Sequence, residues 1–399
     1  MEITLTALEK RIKRHVRAKK HTFYAIVPPG FEEAACQELA DYEISSQQKD
    51  RGGVVFSGKW EDCWKAHHRA RIPARLLVRL TKFSSSRFDQ LEKALEDFPW
   101  ELWLQPHLPV AFHVDAQQST LYHEGAIQER AERCIEKRLH SWQFVVPKPE
   151  SSRGTQTVFL RNFRNQITVS LDCSGGLLYK RGYDKHVDSA PLRDNIAAAI
   201  LREANFSRFD TLIDPMAGSG TFGLEALLGL SKYGAGHFRH FAFELFPVFR
   251  SAAYQYFLKT QTEARLKQST LRSIILCDSQ KRPITIMHHN LQQLAAADID
   301  TDSVKVGQSD FFQVKGEFIS GKTLVCLNPP YGTRLKATQN TRNFFGKLGQ
   351  HLRKGWRGCS FAIIAPGEDA ERALSLPVSK KILFYNGGIS TAVIMGTIR

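Results

Sequence analysis

What the sequence lacks narrows the field first. It contains no run of about 20 apolar residues, the length that a membrane-spanning helix needs. The stretch from Met1 to Lys20 has no apolar core of the kind a secretory signal carries. No two cysteines are spaced as Cys-x-x-Cys. The seven present, Cys36, Cys63, Cys134, Cys173, Cys277, Cys326 and Cys359, are scattered and odd in number. That pattern argues against a disulfide framework or a zinc site, and for reduced thiols in a cytoplasmic protein. The adjacent pairs His67-His68 and His288-His289 are expected to be surface or core histidines, because neighbours in sequence seldom point at one metal. No metal and no membrane partner are therefore expected. There is no internal repeat and no low-complexity tract.

Acidic residues are also in short supply. Lys and Arg total 55 against 40 Asp and Glu, a formal net charge of +15. A balance of this sign favours a polyanionic partner. Seven of the basic residues (Lys10, Arg11, Lys13, Arg14, Arg17, Lys19 and Lys20) crowd residues 1–20, which suggests either a basic arm for a polyanion or a solvated helix face. The hydrophobic fraction of 42% over 399 residues is enough for two or three domains with large cores.

Three regions separate by texture. Residues 21–75 open with the strand-like run Phe23 to Val27, stopped by Pro28-Pro29-Gly30. A helical pattern follows from Phe31 to about Tyr42, and Gly52-Gly53 introduces the strand Val54 to Phe56. This predicts a small α+β unit. Residues 76–175 carry predicted strands at Arg75 to Leu80, Val110 to Val114 and Ile167 to Leu171, with helices at Phe88 to Leu95 and Ala126 to His140. Here Lys82, Arg87, Arg130, Arg133, Lys137, Arg138, Lys148, Arg153, Arg161 and Arg164 are interleaved with aromatics. Phosphates want charge and bases want stacking surfaces, so the mixture suits RNA. Trp100, Trp103 and Trp142 taken singly are expected to be core. In residues 176–399 strand-like runs alternate with helical ones: Thr211 to Asp214, Phe241 to Glu244, Ile274 to Asp278, Val304 to Val306, Thr323 to Leu327, Phe361 to Ala365 and Thr391 to Gly396. Such alternation predicts a mostly parallel sheet covered by helices on both faces.

Two motifs carry chemistry. In Thr211-Leu-Ile-Asp214-Pro215-Met-Ala217-Gly218-Ser-Gly220-Thr221 a buried strand ends in an acid, and a glycine turn then opens a helix. Glycines serve where backbone must pass close to a ligand or take dihedrals closed to side chains. No Lys-Ser/Thr follows them, so this is not a P-loop. Asp214 would repel phosphate. It suits a cationic or hydroxyl-bearing ligand, such as the methionine amine or ribose of S-adenosylmethionine. The second motif is Leu324-Val-Cys-Leu-Asn328-Pro329-Pro330-Tyr331-Gly332. Two prolines fix the backbone and leave carbonyl oxygens available. Asn328 adds another acceptor, and Tyr331 offers a flat face. Together they fit the exocyclic amine of a base flipped out of its stack. Both motifs end strands of one predicted sheet, at the carboxyl edge where such folds bind ligands.

These residues resemble a known family. Asp-Pro-Met-Ala-Gly-Ser-Gly-Thr with Asn-Pro-Pro-Tyr-Gly-Thr-Arg-Leu is similar to the THUMP-containing class I methyltransferases, specifically the large-subunit ribosomal-RNA guanine-N2 group once called N6-adenine-specific DNA methylases. The resemblance extends to Phe23-Tyr-Ala-Ile-Val-Pro-Pro-Gly-Phe-Glu-Glu, Arg51-Gly-Gly-Val-Val-Phe-Ser-Gly, Lys180-Arg-Gly-Tyr, Ala190-Pro-Leu-Arg-Asp-Asn-Ile-Ala-Ala-Ala and Tyr385-Asn-Gly-Gly-Ile, nearly the whole chain. It implies an α/β protein. After the basic arm (1–20) would come a ferredoxin-like unit (21–75), a THUMP RNA-binding domain (76–175) and a Rossmann-like, seven-stranded methyltransferase domain (176–399). It also implies S-adenosylmethionine as cofactor, bound by Asp214, Pro215, Ala217, Gly218 and Gly220 on the methionine side. Asp310 would sit by the adenine amine with Phe311 beside the ring. Asn328, Pro329, Pro330 and Tyr331 would be catalytic. For the ribose, Asp278 and Glu244 both end strand-like runs. The family carries an insertion that Phe241-Ala-Phe-Glu-Leu-Phe-Pro resembles, so Asp278 is assigned to ribose and Glu244 to structure. The chain has Cys277-Asp278-Ser279-Gln280 where the family shows Asp-x-Asp, so a second acid is missing.

The leading reading is an enzyme that methylates the N2 amine of a guanine in ribosomal RNA. An N6-adenine methyltransferase acting on RNA or DNA is the alternative within the same chemistry, because Asn-Pro-Pro-Tyr serves both amines. A non-catalytic RNA-binding assembly factor is the alternative of another class, and binding of S-adenosylmethionine separates it from the first two.

Overall fold

The computed structural model describes residues 2–144, 154–188, 191–262, 269–314, 316, 321–330 and 338–399. Lys148, Arg153, Ala190 and Tyr331 to Leu335, singled out above, lie outside these. Among the described residues no helix is long and apolar enough to cross a membrane. All seven cysteines are free thiols.

Fourteen strands form two seven-stranded sheets. The first takes β1 (His21–Ile26), β2 (Ser46–Asp50), β3 (Gly53–Gly58), β4 (Arg75–Ser84), β5 (Val110–Gln117), β6 (Gln156–Phe163) and β7 (Gln166–Asp172) in the order β2-β3-β1-β4-β7-β6-β5. β4 pairs with β1 on one side and with β7 on the other, so the first two regions of the sequence share one continuous sheet. Alternation along β1 sets which face is core. Phe23 and Ala25 are fully buried, and Phe23 meets Trp60 of the helix Trp60–Arg69 at 5.9 Å. The opposite face keeps Tyr24, Arg79 and Phe159 half-buried, with Lys82, His113 and Arg161 exposed.

The second sheet takes β8 (Thr211–Asp214), β9 (Ser273–Asp278), β10 (Val304–Gln308), β11 (Thr323–Leu327), β12 (Ser360–Ala365), β13 (Lys380–Asn386) and β14 (Ile389–Thr397) in the order β10-β9-β8-β11-β12-β14-β13. β8 to β12 pair in parallel, and β14 runs antiparallel between β12 and β13. β8 and β11 are buried at every position, as strands covered on both faces must be.

Residues 1–20 are not a free arm. Glu2–Ile12 is an α-helix continued by a π-helical turn, Lys13–Arg17. Leu8, Ile12 and Val16 repeat every four residues and are buried, while Arg11 pairs with the buried Glu101 at 3.0 Å. Lys10, Lys13 and Arg14 occupy the outer face of a docked amphipathic helix, whereas Arg11 and Arg17 are half-buried and Lys19 and Lys20 follow the helix. The run Phe241 to Glu244 is not a strand either. Ala242–Leu245 is a 3-10 turn that lets Phe241, Phe243 and Phe246 point at one partner, the helix Trp60–Arg69. His67 meets Phe241 at 4.9 Å, Trp64 meets Phe243 at 6.4 Å, and Trp60 meets Phe246 at 5.9 Å. One hydrophobic core therefore runs from Leu8 through both sheets to Met395.

A buried ionic cluster crosses the same interface. Glu225, fully buried on the helix Thr221–Leu230, accepts from Arg181 Nε at 2.9 Å and Nη2 at 3.0 Å. Arg71, from the loop before β4, lies 3.6 Å from the same carboxylate and donates to the Glu225 carbonyl. Arg181 also donates to the Arg71 and Leu178 carbonyls. Removing one partner from such a group strands buried charge. Glu225→Ala should lower stability by about 3–5 kcal/mol in urea unfolding. Glu225→Gln, which keeps the volume, should recover little of it. A variant as stable as the parent would mean the cluster is a bystander.

Candidate active site

The order of strands in the second sheet reverses between β8 and β11: from β8 the chain proceeds outward to β9 and β10, and from β11 to β12 on the other side. At such a switch point the loops part and leave a crevice beyond the carboxyl ends of the strands. A cleft of about 550 Å³ opens there.

One wall is the glycine loop. Asp214 ends β8 and is 2% exposed. Its Oδ1 accepts from Met216 N at 3.3 Å. The loop then crosses to β9, where Ala217 N donates to the Cys277 carbonyl at 2.9 Å and Gly218 N donates to Asp278 Oδ2 at 3.1 Å. Gly218 and Gly220 have φ of +54° and +79°, which side chains disfavour. A Cβ on Gly220 would also stand 3.1 Å from Met287 Cγ. Gly220 is the N-cap of the helix Thr221–Leu230, so the turn must be this tight for the helix to start against β9. Asp278 ends β9, and its other oxygen accepts from Gln280 N at 3.0 Å. Two carboxylates thus stand side by side. Burial pushes the Asp214 pKa up to about 8, the neighbouring Asp278 charge adds to the shift, and the Met216 N–H opposes it.

The facing wall follows β11. Asn328 and Pro330 line the cleft, while Pro329 is buried behind them. Tyr331 lies outside the described residues. Asn328 Oδ1 is buried and has no hydrogen-bond partner among the described residues. The far end of the cleft is Asp310 to Phe312. Asp310 caps a 3-10 turn, accepting from Phe312 N at 3.0 Å and Gln313 Nε2 at 3.3 Å. Phe311 lines the cleft but is 3% exposed, packed 4.8 Å from His351 and 5.2 Å from Trp356. The more open ring is Phe312, 37% exposed, which also lines the cleft with Phe344. Sequence reasoning passed over Phe312, although only one of two adjacent aromatics after a strand could turn to the core.

The cleft therefore brings together Asp214, Pro215, Ala217, Gly218, Asp278, Asp310, Phe311, Asn328 and Pro330, with Gly220 shaping the loop from beneath. Glu244 is elsewhere. It closes its own turn by accepting from Phe241 N at 2.8 Å and pairs with His240 at 3.1 Å. Gln280 lines the cleft at the position where a second acid was missing.

The basic residues of 76–175 divide into two sets. Arg130, Lys137 and Arg138, on the helix Glu124–Ser141, pair with Glu92, Glu96 and Glu101, and Arg87 pairs with Asp89. These charges are spent inside the unit. Trp100 and Trp103 are core. The open face of the first sheet keeps the other set, in which Arg161 lies 3.8 Å from Asp115. Lys82 and Arg161 both face Thr168, Arg79 lies 4.5 Å over the Tyr24 ring, and Arg161 and Arg164 flank Phe163 at 5.7 and 5.1 Å.

Residues 181–394 match the family model described as RMKL-like, methyltransferase domain, and residues 22–77 match the RlmL ferredoxin-like domain. The ribosomal RNA large subunit methyltransferase K/L of Syntrophotalea carbinolica is 29% identical over 381 residues, covering 92% of this chain and 52% of its own length. Its namesake in Allochromatium vinosum is 27% identical, covering 92% and 50%. The chain thus spans about half the length of these curated relatives. Among solved structures, SMU.472, assigned as a methyltransferase and solved complexed with SAH, superposes with a TM-score of 0.82 at 25% identity, covering 96% of this chain and 99% of that one. The first match takes in more than half of the sequence, and the chain belongs to the RMKL-like methyltransferase-domain family.

Proposed function

We propose that this chain is an S-adenosylmethionine-dependent RNA methyltransferase acting on the exocyclic N2 amine of a guanine in large-subunit ribosomal RNA. The observation that carries the reading is Asn328: a buried acceptor oxygen without a donor among the described residues, on the wall opposite a glycine loop and two acids. Leaving such an atom unpaired costs about 1–3 kcal/mol, so the site is built for an incoming N–H. The residues fit the cofactor. Asp278 uses one lone pair on each oxygen for Gly218 and Gln280, and the remaining ones are free for ribose hydroxyls. Asp214 answers the cationic methionine end. Asp310 and the Phe311-Phe312 pair close the adenine end.

S-adenosylmethionine supplies a methyl group already activated on a sulfonium. What the chain must do is orient the acceptor. An exocyclic amine is a poor nucleophile because its lone pair is delocalised into the ring. Hydrogen bonds from that amine to Asn328 Oδ1 and the Pro329 carbonyl draw the lone pair out of the ring plane. Tyr331 stacks on the base, an interaction worth about 1–3 kcal/mol. The amine proton becomes acidic only after transfer, so no general base is required beforehand. The RNA around the target base lies on the open face of the first sheet, where Arg79, Lys82, Arg161 and Arg164 stand among Tyr24, Phe159 and Phe163.

Single-turnover transfer of labelled methyl to ribosomal RNA, with the modified nucleoside identified by mass, tests the chemistry. Asn328→Ala should lose nearly all turnover yet still bind cofactor and RNA. Tyr331→Phe should keep most activity and Tyr331→Ala should lose most. Transfer by Asn328→Ala at the parent rate refutes the mechanism, and N6-methyladenosine as product moves the assignment to the other amine. By calorimetry, Asp278→Ala should weaken cofactor binding by about 1.5–3 kcal/mol, the loss of a charge-assisted contact, whereas Glu244→Ala should bind normally.

RNA affinity should fall steeply with salt. Lys82→Ala/Arg164→Ala should flatten the log–log slope by about 0.7 per lost single-strand phosphate contact. An unchanged slope would remove these residues from the track.

Asp214 makes a pH prediction. Its pKa is about 8 when folded, against about 3.9 in an unfolded chain. The folded state therefore holds the proton more tightly. That contribution is complete below about 3.9 and is lost as pH rises through the folded pKa. Asp214→Asn carries no such loss. It should raise the melting temperature of the ligand-free protein more at pH 8 than at pH 5, while weakening cofactor binding. A melting difference that does not change with pH would contradict the burial argument.

A further inference from the structure

Among the described residues, one group of histidine and carboxylate side chains lies close enough to share a metal ion: Asp184, His186 and His289, whose donor atoms are all within 4.8 Å of one another. Asp184 and His186 belong to the lead-in to the second sheet, and His289 to the helix Lys281–Ala296. Asp184 Oδ2 lies 3.6 Å from His186 Nε2 and 3.5 Å from His289 Nε2. Zinc bonds of about 2.0–2.2 Å at tetrahedral angles place neighbouring donors about 3.3–3.6 Å apart. Two edges of such a coordination shell are thus already at length.

The two imidazoles are stacked, with centroids 3.7 Å apart and planes 16° from parallel. One ring must turn to present its nitrogen beside the other. The exposure of the side chains, 55% for His186 and 28% for His289, leaves room for that turn. The backbone that carries them is fixed. Asn290, fully buried, accepts from His186 N at 2.8 Å and donates to the His186 carbonyl at 2.9 Å and the Ser219 carbonyl at 3.1 Å. The same amide thus ties the histidine segment to the glycine loop. Asp188, two residues beyond His186, lines the cleft.

We propose that Asp184, His186 and His289 form a divalent transition-metal site that clips the lead-in segment to the helix Lys281–Ala296 at the rim of the cleft. Two imidazoles and one carboxylate suit Zn²⁺, with water completing the shell. Sequence spacing argued against a metal because His288 and His289 are adjacent. His288 indeed stays out, and the fold supplies His186 in its place.

The test uses the untagged full chain, Zn²⁺ alone for calorimetry and melting, and Co²⁺ as a spectroscopic probe. One ion should bind per chain and raise the melting temperature. His186→Ala and His289→Ala should each weaken binding at least as much as the roughly 10–100-fold that loss of an outer-shell partner costs, and Asp184→Asn should weaken it too. Bound cobalt should show the visible bands of a nitrogen and oxygen shell. Three results would overturn the site: no zinc binding, undiminished binding in the His186→Ala/His289→Ala double variant, or a cobalt spectrum dominated by thiolate charge transfer, which would put the ion on the cysteines.

Discussion

Everything in the cleft hangs from the carboxylate of Glu225. It sits in the first turns of the helix that Gly220 opens, with no exposed surface, and two arginines from different parts of the chain converge on it. Arg71 comes from the loop before β4 and Arg181 from the lead-in. Two guanidiniums against one carboxylate would leave excess positive charge in the interior. Backbone carbonyls of Leu178, Arg71 and Glu225 take further donors, and Asp194 and Glu38 add negative charge nearby. A cluster like this adds little net stability over an apolar replacement. What it does is tie the loop before β4 and the lead-in segment to the helix that carries the glycine loop.

With that helix fixed, the loop is forced back across β9, and the two acids come together. Asp278 is held by two backbone N–H groups, while Asp214 has, among the described residues, a single long one and no cation beside it. Burial and a like charge both oppose its ionisation. In a ligand-free protein this is an uncompensated cost, kept at the one place where a cationic partner would relieve it. The Asn328 oxygen on the opposite wall, without a hydrogen-bond partner among the described residues, is a second cost of the same kind. The cleft is thus under-satisfied on both sides among the described residues, with a carboxyl that resists ionisation on one and a free acceptor on the other.

How much of this was legible in the sequence depended on whether the signal was local. Strands buried on both faces, such as Thr211–Asp214 and Thr323–Leu327, declared themselves by unbroken apolar runs ending in Asp or Asn. β2 did not, because Ser-Gln-Gln-Lys-Asp is a polar edge strand with nothing to bury. β13 begins with two lysines and alternates only in its second half. Phe241 to Phe246 was misleading because aromatics two residues apart serve a 3-10 turn against a helix as well as they serve a strand. The paired cations of the helix Glu124–Ser141 looked like a nucleic-acid surface, since their acidic partners lie on other elements, the helix Phe88–Asp97 and the turn Trp100–Leu102, and pairing is a tertiary fact. Glu225 was the clearest missed signal. A lone acid in Leu-Glu-Ala-Leu-Leu, on a helix apolar all round, must have a buried cation, and the sequence does not say which.

The aromatic contacts of the helix Trp60–Arg69 with Phe241, Phe243 and Phe246 make the join between the sheets part of a single core. Domains joined by small polar surfaces move by default, whereas a large apolar join holds them still. Packing of this kind opposes closure of one unit over the other as a way to bring substrate to Asn328. In the proposed reaction the open sheet face and the cleft are fixed points, and the adjustment falls on the RNA. A base must leave its stack to reach the Asn328 wall, at a cost of a few kcal/mol that is least for a base already unpaired. A rigid protein of this form selects its target by the distance between where it holds the backbone and where it receives the base. That distance is set, through Arg71, Glu225 and Arg181, by the packing between the two sheets.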